Sequence, residues 1–136
     1  MKTIEVKVSR LIPASPTEVF DVWLDPSSPG CPWHGAMKMI VDVKIDGLFY
    51  WGHDNKGTAW PHYGRFTKLE RGKLAEYTWM SPSTSGLESK VSVSFEASGK
   101  GTQVTIHHSG LPDDDGGRGH ERGWTYLLGE LEKSRT

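Results

Sequence analysis

The sequence predicts an α+β domain: one curved antiparallel sheet of about six or seven strands wrapped around a long carboxy-terminal helix. Three observations predict it. Apolar residues recur with a period of two through most of residues 37–108. The period returns to 3.6 at the end, where Trp124, Leu127, Leu128 and Leu131 occupy i, i+3, i+4 and i+7. A twisted antiparallel sheet of this length cannot leave its apolar face in water, and the terminal stripe of large side chains is its natural cover.

Taken in order, the first strand places Ile4, Val6 and Val8 on one face between Thr3 and Leu11. "SPTE" then opens a helix: Ser15 as N-cap, Pro16 at the first helical position and Glu18 completing a capping box. That helix carries Val19, Phe20, Trp23 and Leu24 and must stop near Asp25-Pro26. "DPSSPGCPWHG", with three prolines and two glycines, reads as a loop. From there Met37, Met39, Val41, Val43 and Ile45 share a strand face, followed by a turn at Asp46-Gly47. Phe49 and Trp51 lead to the hairpin signal "HDNKG", after which Trp60, His62, Gly64 and Phe66 share parity. "ERGK" turns the chain into Leu74–Met80. Val91, Val93, Phe95 and Ala97 form the clearest alternating row, and after "GKG" Val104, Ile106 and His108 face inward. The acidic run Asp113–Asp115 sits where negative charge favours the start of the last helix, near 118–133.

Composition narrows the function classes. A chain of 136 residues fits one domain, taken as residues 1–136. The net charge is −1 with scattered Lys and Arg, which argues against a nucleic-acid partner. One cysteine rules out an internal disulfide and suits a reducing compartment. No run approaches the ~20 apolar residues of a membrane span, and the amino terminus lacks a signal-peptide core. The expectation is a cytoplasmic domain.

The order of elements resembles the START-like (SRPBCC), helix-grip superfamily. Four stretches look like its branch of activators of the heat-shock-protein-90 ATPase: "IPASPTEVFDVWLDP", "VDVKIDGLFYW", "YGRFTKLERGKLAEYTW" and "RGWTYLLGELEK". Lys44 and Asp46 stand where the branch usually shows an arginine and a glycine. The resemblance implies a helix-grip fold and a hydrophobic cavity for a small apolar or amphipathic molecule, lipid included. It also implies two alternatives. One is an aromatase/cyclase-like or hydrolytic enzyme using pocket histidines. The other is a co-chaperone-like stress-response module with a chaperone partner. A homodimer is left open.

Residues 47–66 hold six aromatics and two histidines. As a metal site the stretch offers His53, His62 and Asp54, short of the convergent set zinc requires. As a nucleic-acid platform it lacks interleaved basic residues. It reads best as the inner surface of the grip. Met39, Trp60, Tyr77, Trp79 and Trp124 are the expected apolar walls, with Phe49 and Phe66 as core. "CPWH", with Cys31 and His34, invites a thiol–imidazole reading, but a loop cysteine near the pocket mouth is the simpler one. His108 ends an inward strand row and His120 opens the inward helix stripe, so both approach one end of the cavity. With His62 they are expected to hold a ligand's polar group. Parity turns Asp42 and Glu76 away from the better-defined apolar rows. No catalytic residue, metal or cofactor is expected, and a binding module is favoured over an enzyme.

Overall fold

A computed structural model describes residues 2–136. β1 (Thr3–Ile12) leads to α1 (Pro16–Trp23), then β2 (Lys38–Val41), β3 (Leu48–Asn55), β4 (Thr58–Glu70) and β5 (Leu74–Trp79). A single 3-10 turn, Pro82–Thr84, precedes β6 (Ser89–Ser98) and β7 (Gly101–Pro112), and the chain closes with α2 (Asp115–Arg118) and α3 (His120–Ser134). The seven strands form one antiparallel sheet in the order β1-β7-β6-β5-β4-β3-β2. This is the expected helix-grip architecture.

Local chemistry explains the elements. Ser15 Oγ accepts from the Glu18 amide at 3.3 Å and Pro16 fills the first turn of α1. The capping box is only half made, because the Glu18 carboxylate accepts from Arg135 at 2.8 Å instead of turning back. That ion pair ties α1 to the end of α3, and the Arg10–Glu132 pair ties β1 to the same helix. Asp114 caps α2 by accepting from the Gly117 amide at 2.8 Å, the helix-start role expected of the acidic run. The β3–β4 hairpin turns on Lys56 and Gly57 at φ of 54° and 86°, the pair of positive values that a two-residue type I′ turn requires.

The apolar rows are buried where they belong. Val91, Val93, Val104, Ile106, Leu128 and Leu131 are fully buried, and Trp124 nearly so. Three expectations fail. The 37–45 row is exposed: β2 spans only Lys38–Val41, at the sheet's edge, and Met37, Met39, Val43 and Ile45 are each about half in solvent. An edge strand that short has no opposing layer, so periodicity alone overstated its burial. Ala97, at the outer end of its row, is exposed. Cys31 lies within the core rather than at a pocket mouth, and burial pushes its thiol up to about 12. His34 binds the Pro26 carbonyl at 3.1 Å on the surface.

The loop after α1 delivers the largest surprise. Trp33 is fully buried, with ring centroids 5.2 Å from Phe49, 5.8 Å from Tyr77 and 6.0 Å from Phe66. The loop thus plugs much of the space between sheet and helix with aromatic packing. What stays open lies at the other end of the grip.

Candidate functional site

The open space is a cleft of about 370 Å³ between the β3–β5 strands and the start of α3. Its size falls in the ~300–1,000 Å³ range of small-molecule sites. Trp51, Trp79, Trp124 and Leu127 supply apolar walls, His62 and His120 the polar ones, and Ser83 and Asp115 contribute beside α2.

Register builds the first wall. Counting back from the Lys56-Gly57 turn pairs Trp51 with His62. Their rings stack at 4.0 Å with planes 8° apart. Trp79 leans on the imidazole at 5.0 Å and on Trp124 at 5.1 Å. The helix wall is smooth because Gly116, Gly119 and Gly123 face it. A Cβ added at Gly123 would meet nothing within 4 Å.

The histidine tautomers follow from their partners. His62 Nδ1 donates to the Trp60 carbonyl at 3.1 Å, and His120 Nδ1 to the Gly116 carbonyl at 2.9 Å. A carbonyl can only accept, so each proton sits on Nδ1 and each Nε2 keeps a lone pair. Neither Nε2 has a hydrogen-bond partner among the described residues. Burial lowers the pKa of His62 to about 4, and burial likewise lowers that of His120. Both rings are therefore neutral acceptors at pH 7. Backbone carbonyls rather than carboxylates orient them, which fixes the tautomer without adding a charge. The buried indole N–H groups of Trp51 and Trp79 donate to no atom among the described residues.

His108 plays another part. Its ring meets that of His120 at 4.9 Å, so the two histidines do converge on one end of the grip. Yet His108 is fully buried and both nitrogens are engaged. Trp124 Nε1–H donates to Nδ1 at 3.0 Å, and Nε2 lies 2.7 Å from Ser89 Oγ. The Ser89 hydroxyl donates to the Trp79 carbonyl at 2.6 Å, so Nε2 must carry the proton that Oγ accepts. The chain from Trp124 through His108 and Ser89 to Trp79 is saturated, and it fixes two cleft walls. Burial holds the His108 pKa down at about 2.

Of the other expected walls, Trp79 and Trp124 line the cleft. Tyr77 is fully buried in the core, its hydroxyl accepting from Trp23 Nε1 at 3.3 Å. Trp60 is half-buried opposite His53, two pairs further along the hairpin and outside the cleft. Met39 is 42% exposed on the edge strand, also outside it. Trp51 and Leu127 went unassigned from sequence. The hairpin signal at "HDNKG" contained the information for Trp51, since the turn fixes which residue faces His62.

These lowered pKa values have a sign that can be tested. Unfolded histidine titrates near ~6.5. Below that pH the unfolded chain binds protons that folded His62 and His108 refuse, so stability present above ~6.5 is lost as pH falls toward about 4 and about 2. For fully buried His108 the expected slope is about 1.4 kcal/mol per pH unit between roughly pH 5.5 and 4. Denaturant midpoints measured across this range check it. A His108→Gln variant should show a shallower acid slope than the parent.

A family model described as "Activator of Hsp90 ATPase homolog 1-like protein" matches residues 13–134, and the chain belongs to that family. No curated protein matches it. Among solved structures it is similar to the Aha1 dimer from Colwellia psychrerythraea, at 17% identity over 97% of this chain and 96% of that one, with a TM-score of 0.76. It is also similar to a protein of unknown function, SA2116, from Staphylococcus aureus, at 16% identity over 98% and 93%, with a TM-score of 0.80. Ara h 8.0201 shares the fold at 10% identity over 97% of both chains, with a TM-score of 0.77. Family and fold together support a ligand-binding domain in general terms. No helix among the described residues is long and apolar enough to cross a membrane.

Proposed function

We propose that the chain binds a small, neutral, amphipathic molecule in the cleft at the His120 end of the grip. The aromatic walls take the ligand's body, and His62 and His120 accept hydrogen bonds from its polar group. The observation that carries this reading is the pair of neutral imidazoles with free Nε2 acceptors in one largely apolar cleft. A hydroxyl suits the site, since its O–H donates to an imidazole Nε2 while the aromatic walls take the rest of the molecule. An anionic head group fits poorly: no Lys or Arg lines the cleft, and Asp115 is its one charged residue.

Gly123 gives the test. It lies in α3, facing open space. Gly123→Ala should raise stability by roughly 0.5–1 kcal/mol through helix propensity. Gly123→Leu should remain folded while filling the cleft. With 2-naphthol as ligand, tryptophan quenching should be saturable in the parent and lost in Gly123→Leu. Binding should also weaken as pH falls toward about 4, where protonation removes the His62 Nε2 acceptor. Undiminished binding by the leucine variant would place the site elsewhere.

A further inference from the structure

Among the described residues, seven of the nine exposed large apolar side chains gather at one end of the sheet: Met37, Met39, Ile40, Val43, Ile45 and Leu48, with Tyr63 beside them. Ile40 is 72% exposed and Leu48 64%. Both faces of β2 carry this surface, because Met39 and Ile40 have opposite parity. β2 is also the last strand of the sheet. Such an edge, apolar on both faces, is a template for another strand.

The backbone of the edge is ready to pair. The Asp42 amide donates to the Leu48 carbonyl at 3.1 Å, in register with Ile40 opposite Tyr50. With a period of two, Ile40 and Asp42 direct their main-chain groups toward β3, and Met39 and Val41 direct theirs outward. The sequence of this edge is self-complementary about Ile40. In "KMIVD" an antiparallel second copy with Ile40 opposite Ile40 sets Met39 against Val41 and Lys38 against Asp42. Met37 and Val43, one residue further out on either side, repeat the apolar match. The outward N–H and C=O groups of Met39 then face those of the partner's Val41, which is the hydrogen-bonded phase such a pair needs. Asp42, which now holds Lys44 at 3.3 Å in solvent, would gain the partner's Lys38 as a cross-strand neighbour.

We infer that β2 is the interface of a symmetric homodimer, in which two copies pair antiparallel across a two-fold axis at Ile40 and join their sheets edge to edge. The symmetry is that of the commonest oligomers, with one patch meeting itself. A stable interface covers about 800 Å² per partner. Leu48 and Tyr63, carried alongside on neighbouring strands, extend the contact beyond β2 itself.

Sedimentation velocity of the full chain over a micromolar concentration series tests this. The parent should dimerise with rising concentration. Ile40→Lys, which sets two ammonium groups against each other at the axis, should be a folded monomer. Lys38→Asp alone sets carboxylate against carboxylate twice and should weaken the dimer roughly tenfold. Combining Lys38→Asp with Asp42→Lys should restore it. A parent that stays monomeric, an Ile40→Lys variant that dimerises equally well, or a charge swap no tighter than the single change would each overturn the inference.

Discussion

Leu128→Asp should leave no cooperative thermal unfolding transition. The side chain is fully buried at the centre of the α3 stripe, between Trp124 and Leu131. A carboxylate there has no cation to pair with, and even its protonated form would leave polar atoms unsatisfied. The loss should exceed about 4 kcal/mol, a large share of the ~5–15 kcal/mol that holds a domain together. Leu128→Met, which keeps the volume, should cost less than about 1.5 kcal/mol. Circular dichroism melts of the two variants separate burial from mere sensitivity of the position. A carboxylate variant melting like its parent would contradict the grip itself.

His108→Phe should be the next most damaging change, with its effect on stability larger than on ligand contact. Phenylalanine fills the volume but accepts nothing from Trp124 Nε1–H and offers no N–H to Ser89 Oγ. Orphaning that buried indole donor costs about 1–3 kcal/mol, with further loss where the ring no longer joins β7 to α3. Trp124 and Trp79 are cleft walls, so binding should weaken indirectly through their misplacement. His120→Phe, by contrast, should cost less stability, since His120 is only half-buried, and it removes one acceptor from the cleft. Chemical denaturation of both variants beside 2-naphthol titrations distinguishes a scaffold histidine from one that faces the ligand. Equal stability losses would contradict the division of roles.

This division was only partly legible in the sequence. Alternation placed Val104, Ile106 and His108 on the inner face, and helical period placed His120 on the same stripe as Trp124. Their meeting at 4.9 Å follows from those two readings and the connection between them. Parity says which face a side chain takes, but not which nitrogen carries the proton or whether both are already used. That depended on Ser89 and Trp124, which are 19 and 16 residues away from His108. Trp33 was invisible for a different reason. A proline-rich loop has no period, so nothing local shows that one of its side chains is driven into the core. The exposed 37–45 row failed the opposite way: its alternation was real, but alternation reports a half-apolar strand and not what covers it. Trp51 was recoverable, because a two-residue hairpin turn fixes cross-strand partners once its position is known.

The central claim is that the cleft presents neutral imidazole acceptors to a ligand that donates. Nitrogen-15 NMR of the histidine rings during titration with 2-naphthol, and separately with 2-naphthoate at the same pH, tests it most directly. The free Nε2 resonances of His62 and His120 should shift toward the hydrogen-bonded range with 2-naphthol, while those of His108, already saturated, should stay nearly fixed. The carboxylate should bind more weakly and leave the rings unprotonated. Shifts confined to other residues, or tighter binding of 2-naphthoate with protonation of the two rings, would contradict the account.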